Sequence, residues 1–108
     1  MTTGIRGLNN ESSRPVTVVN KENRSNSWTC KANEFDSRVY AWIPQGEERG
    51  IDITTCRNGG TTCNIWDSNW KIYGRWNDES YDFVLYDGVD NGQDFKLTVY
   101  ETGIIGLS

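Results

Sequence analysis

Histidine is absent from the 108 residues. The chain therefore lacks the commonest general base at neutral pH and the commonest metal ligand. A serine or cysteine nucleophile of the usual kind has no imidazole to activate it. Cysteine is scarce: only Cys30, Cys56 and Cys63 occur. With the wrong spacing and no fourth ligand, they make no tetrahedral zinc set. If two of them pair, one is left over. A Cys56–Cys63 staple across Asn58-Gly59-Gly60 is one reading. Three buried free thiols is the preferred one, because the N-terminus shows no signal-peptide h-region. That absence points to a cytoplasmic protein or to export without a classical leader.

Long apolar runs are missing too, and no segment has the length of a transmembrane helix. Runs of Lys and Arg are missing, the net charge is −4 and the pI is about 4.7. Such a balance disfavours nucleic acid and anionic membranes as partners. The length suits one domain, residues 1–108, with a modest core. Hydrophobic residues make up 35% and aromatic ones 12%, so the expected core is built from a few large side chains.

The densest stretch is Cys56 to Trp76, which holds three of the five tryptophans. Asn58-Gly59-Gly60 tolerates positive φ and predicts a tight reversal. Beyond it Trp70, Ile72 and Trp76 share one parity, while Lys71, Tyr73 and Arg75 share the other. This pattern predicts a strand with Trp70, Ile72 and Trp76 inward and Tyr73 and Arg75 outward. Trp70→Ala is then expected to cost about 3–5 kcal/mol, as a large-to-small core change does.

Similar period-two segments run along the rest of the chain. They cover 14–20, 27–32, 38–43 (stopped by Pro44), 50–55, 81–86 and 95–100, with Asn, Asp and Gly between them. The inward sets are Trp28 and Cys30; Ile51 and Ile53; Tyr81, Phe83 and Leu85; and Phe95, Leu97 and Val99. No apolar pattern has helical spacing. About seven to eight short strands at this length predict a small antiparallel β-sandwich, with a small β-barrel as the alternative. Thr-Gly-Ile-x-Gly-Leu occurs near both ends, at 3–8 and 102–107. One reading makes these two segments equivalent sheet edges, within one chain or between two.

Paired carboxylates suitable for glycoside hydrolysis occur only as sequence neighbours, Glu47/Glu48 and Asp78/Glu79, in predicted turns. The expectation is therefore no enzymatic activity. Asp87-Gly-Val-Asp-Asn-Gly-Gln-Asp94 fails the EF-hand pattern at Val89 and has no closing glutamate. A weak calcium site at Asp87, Asp90 and Asp94 stands as the alternative to ordinary turn hydrogen bonding; no other cofactor is expected. Asn77-Asp-Glu-Ser80 is similar to the calcium segment of βγ-crystallins, but Tyr81 replaces the hydroxyl that pattern needs. The Gln-x-Trp repeats of trefoil lectins are absent.

Trp66 stands apart in Asn64-Ile-Trp-Asp-Ser-Asn69, a polar stretch that predicts a partly exposed indole. An apolar ring among amides and carboxylates suits a sugar, whose C–H face stacks while its hydroxyls hydrogen-bond. The expected site is Asn64, Trp66, Asp67 and Asn69, with Tyr73 and Arg75 on the adjoining strand. The leading expectation is a non-enzymatic, lectin-like protein that binds a glycan or glycoconjugate. A membrane-acting defence protein with aromatics at the lipid interface and a structural module that forms homo-oligomers are the alternatives.

Overall fold

Among the described residues ten strands follow one another: β1 (Thr3–Asn10), β2 (Val16–Asn20), β3 (Ser27–Cys30), β4 (Phe35–Ile43), β5 (Ile51–Thr55), β6 (Thr61–Ser68), β7 (Lys71–Trp76), β8 (Phe83–Asp87), β9 (Asp94–Val99) and β10 (Ile105–Leu107). The computed structural model describes residues 3–23, 25–46 and 50–108, and the Glu47/Glu48 pair lies outside them. The helical content of the described residues is one 3-10 turn, Arg57–Gly59. No helix among them is long and apolar enough to cross a membrane.

A four-stranded sheet in the order β10-β9-β1-β4 packs on a six-stranded sheet in the order β3-β2-β5-β6-β7-β8. This is the expected β-sandwich, and neither sheet closes into a barrel. It differs from expectation in two respects. β1 and β9 pair in parallel, so the smaller sheet is mixed. The strand count exceeds eight because β6 is a full strand and both chain ends join the smaller sheet. The two Thr-Gly-Ile-x-Gly-Leu segments share that sheet, but they are not equivalent edges. β1 is interior and β10 is an edge, and Leu8 and Leu107 flank Leu97 from opposite sides.

The strands form where aliphatic residues alternate with polar ones. Val16, Val18, Ile51, Ile53, Ile65, Ile72, Leu97 and Val99 are fully buried in one cluster between the sheets. The expected inward sets of β5 and β9 hold, as does Cys30, while Trp28, Phe83 and Leu85 pack partly buried against the cluster. Tyr81 is 61% exposed and precedes its strand. Phe95 is the one aromatic among the largest fully buried side chains. The core is therefore aliphatic, not aromatic.

Trp70 departs furthest from expectation. Ser68 pairs with Lys71, leaving Asn69 and Trp70 as a two-residue hairpin loop with φ of 51° and 61°. Positive φ at both loop positions matches the right-handed twist of the flanking strands. Trp70 thus sits outside the strand and is 59% exposed. Ile72 and Trp76 face the core as expected. The reversal around Asn58-Gly59-Gly60 also forms and links β5 to β6. All three cysteines are free. Cys63 lies between Ile53 and Trp76 in the ladder and faces the core, and Cys56 lies before the turn.

The 3-10 turn is pinned from outside by the chain's last turn. Gly103 adopts φ +89°, and a Cβ there would lie 2.3 Å from the backbone nitrogen of Arg57. Thr55 Oγ1 donates to the Gly103 carbonyl at 2.7 Å. Urea unfolding should accordingly show Gly103→Ala losing about 2–4 kcal/mol, from backbone strain and overlap together. Ile65→Ala should lose about 2–5 kcal/mol. Trp70→Ala should lose less than about 0.5 kcal/mol, and Trp70→Gly should gain up to about 1 kcal/mol by relieving positive φ. A loss of 3 kcal/mol or more in Trp70→Ala would contradict this placement.

Candidate functional site

β6 decides which expected site residues meet. Cys63, Ile65 and Asp67 face the gap between the sheets, so Thr62, Asn64 and Trp66 face outward. Across the hairpin Asn64 pairs with Arg75, and Trp66 with Tyr73. Four of the six expected residues (Asn64, Trp66, Tyr73 and Arg75) therefore share the outer face of the larger sheet. Asp67 is on the opposite face, and Asn69 sits in the hairpin loop at the strand's end.

Trp66 does not supply an open stacking surface. It is 5% exposed, its ring lies nearly parallel to Tyr73 at 5.9 Å, and the Arg75 guanidinium carbon is 5.9 Å from its centroid. Opposed aromatic side chains on a sheet face cover one another, and this pair does so with Arg75 beside it.

Asp67 offers no hydroxyl acceptor to solvent either, because it is fully buried. Its Oδ2 accepts from Thr3 Oγ1 of β1 at 2.8 Å, and its Oδ1 has no partner. Its backbone N–H donates to the Pro44 carbonyl at 3.0 Å, and its carbonyl accepts from Gly46 N–H at 3.4 Å. Asp67 thus ties the two sheets and the segment after β4 together. Burial pushes its carboxyl pKa up, and the Thr3 hydroxyl offsets part of that rise.

One residue of the calcium alternative is already committed to an ion pair. Asp94 Oδ2 is engaged by Arg6 Nε at 2.6 Å. Among the described residues no group of three or more Cys, Asp or Glu side chains is placed to hold a metal ion.

The outer face of the larger sheet instead contains a depression of about 510 Å³, lined by Lys21, Asp52, Thr62, Asn64, Arg75, Trp76, Asn77 and Glu79. β5, β6 and β7 supply Asp52, Asn64 and Arg75 in one row, because Asp52 pairs with Asn64 and Asn64 with Arg75. Asn64 Nδ2 donates to Asp52 Oδ1 at 3.0 Å. Arg75 Nε donates to Asp82 Oδ1 at 2.6 Å. Asn77 Oδ1 accepts from Thr62 N–H at 3.2 Å. Several polar atoms remain uncommitted. Asn64 Oδ1 is buried without a partner. Among the described residues the Lys21 ammonium has none, and the second Asp52 oxygen and Asn77 Nδ2 have no hydrogen bond.

One rim of the depression is held rigid by Arg57. Its guanidinium lies over the Trp76 ring at 4.3 Å, donates to Asp78 Oδ1 at 2.9 Å and also binds Glu79. Asn58 Nδ2 adds a bond to Asp78 Oδ2 at 3.1 Å. These hydrogen bonds hold the Asp78 carboxyl below the usual carboxylate range. Asp52, Lys21 and Asn77 were not legible as site residues, since nothing along the chain marks which turns and strands lie beside β6.

A second surface was missed for a different reason. Tyr40 and Trp42 on β4, 37% and 49% exposed, form an aromatic row on the outer face of the smaller sheet, and Phe35 on the same strand is 52% exposed. The signal is present in Arg38-Val-Tyr-Ala-Trp-Ile43: both parities are apolar, and the aliphatic set Val39, Ala41 and Ile43 takes the interior.

Comparison with known protein families, curated proteins and solved structures finds no match.

The environment of Asp67 gives a stability signature. A carboxyl whose folded pKa is raised favours the folded state fully below the unfolded value of 3.8, and that contribution is lost as pH rises through the folded pKa. Asp67→Asn removes this titration. The difference in unfolding free energy between wild type and Asp67→Asn should therefore move against the wild type as pH rises above 3.8 and level off at higher pH. A pH-independent difference would contradict a raised carboxyl.

Proposed function

We propose that this protein is a non-enzymatic, lectin-like carbohydrate-binding domain whose site is the depression on the outer face of the larger sheet. The observation that carries this reading is the set of uncommitted polar atoms there: an acceptor on Asp52 and donors on Lys21 and Asn77. A sugar hydroxyl both donates and accepts. Vicinal hydroxyls are therefore best met by alternating acceptors and donors on a rigid frame, which strand-borne Asp52 and Asn64 supply. The volume falls within the range of small-ligand sites.

Within this reading the expected site keeps Asn64 and Arg75 as lining residues. Trp66 and Tyr73 become the packed support beside them, and Arg75, fixed by Asp82, stands between the two groups. The overall charge of −4 favours neutral glycans over acidic ones.

A glycan array with the wild-type chain should give a restricted set of neutral hits. Against the best hit, Asp52→Ala and Lys21→Ala should each weaken binding about tenfold or more; Lys21→Ala should leave the melting temperature nearly unchanged, and Asp52→Ala should lower it modestly because the Asn64 amide loses its acceptor. Absence of binding across a broad array, or binding unaffected by both substitutions, would sink the proposal.

A further inference from the structure

We infer that the outer face of the smaller sheet carries a second carbohydrate subsite, shaped for the flat C–H face of a pyranose with equatorial hydroxyls. The inference shares its ligand class with the reading above, but it rests on different residues in the other sheet.

Strand register builds this subsite. Trp42 on β4, Gly4 on β1 and Asp94 on β9 lie opposite one another in one row, and Tyr40 and Arg6 lie opposite each other in the next row. Gly4 leaves the middle of the first row without a side chain. A Cβ there would sit 3.3 Å from Asp94 Oδ1 and 3.9 Å from Trp42 Cε3, so the two side chains close over the buried Gly4 and form one continuous surface. One side of that surface is an indole, 49% exposed. The other is a carboxylate joined to a guanidinium, with Asp94 Oδ2 at 2.6 Å from Arg6 Nε.

Both sides are already held in place. Tyr40 meets Trp42 edge to face, with centroids 5.7 Å apart and planes at 82°. The face of Tyr40 is covered by Arg6, whose guanidinium carbon is 4.6 Å from the ring centroid. Tyr40 therefore props the indole and fixes the arginine, leaving Trp42 as the ring that meets a ligand. A gluco-configured ring presents broad C–H faces and carries its hydroxyls around its edge. The indole takes a face, and the Asp94–Arg6 pair offers an acceptor beside a donor to adjacent hydroxyls. That charged pair sets this face apart from a lipid-inserting one, because a carboxylate and a guanidinium are expensive to take into hydrocarbon. With the two sheets packed back to back, this surface and the depression face opposite directions, so one chain presents two sugar sites.

Native gel electrophoresis through hydroxyethyl cellulose, with titration of cellohexaose followed by tryptophan fluorescence, tests this surface directly. The wild type should be retarded. Trp42→Ala should bind cellohexaose about tenfold or more weakly, Trp42→Phe should retain most of the affinity, and Trp70→Ala, in the β6–β7 hairpin loop, should behave as wild type. Absence of retardation of the wild type would overturn the inference. So would Trp42→Ala binding like wild type, or Asp52→Ala losing β-glucan binding while Trp42→Ala keeps it. Sedimentation showing that Trp42→Ala splits a dimer would assign this face to a second copy of the chain. Trp42-dependent flotation with phosphatidylcholine vesicles, without glucan binding, would assign it to lipid. Either result overturns the sugar subsite, whereas loss of depression binding alone leaves it standing.

Discussion

The gap between the two sheets governs this structure. Packed β-sheets stand about 10 Å apart, room for one interdigitated layer from each. Ile and Val fill that layer from nearly every strand, and they suit a pleated surface because β-branched side chains pack closely on it. Once the gap is filled by Val16, Val18, Ile51, Ile53, Ile65, Ile72 and their partners, few large rings can enter. Phe95 is accommodated there and Trp76 at the margin, and the other indoles lie on outer faces, at the hairpin loop or at the edge of the core. The aromatic surplus is thus displaced to the surfaces.

Two polar devices brace the fold, one between the sheets and one along the larger sheet. Asp67 and Thr3 join the sheets through a bond inside the interface, where an ionised carboxylate is costly and therefore titrates upward. Arg57 joins the β5–β6 turn to the β7–β8 turn through Asp78, Glu79 and the Trp76 ring. The Arg57 bonds lie at the surface, where ion pairs alone contribute little. Their value is geometric, since a planar guanidinium that stacks and donates in two directions leaves little freedom to the rim it supports.

The two outer faces differ in chemistry because their strands differ in what they expel from the core. The larger sheet turns out Asp52, Asn64 and Arg75, which make a polar depression. The smaller one turns out Tyr40 and Trp42 beside Arg6 and Asp94. Each face combines donors and acceptors with rings held by neighbours, so neither needs a large rearrangement to meet a polar ligand. Such preorganisation reduces the ordering cost that otherwise weakens binding.

Period-two alternation and turn residues by themselves determined that the chain is all-β, where most strands between residues 14 and 100 lie apart from β6, and that Ile72 and Trp76 face inward; the choice of sandwich over barrel waited for the packing of the two sheets. The first three are local properties: alternation sets which side a residue faces, and Asn-Gly segments bend where positive φ is cheap. Tertiary structure alone decided the rest. The hairpin placed its loop at Asn69–Trp70, which took Trp70 out of the strand. β6 kept its alternation through Asp67, which sent that carboxylate inward and left Trp66 under Tyr73. In β4 both parities are apolar, so only the demands of the gap could choose the aliphatic set. The depression likewise depends on β5 and β7 flanking β6, a long-range pairing that no short window of residues records.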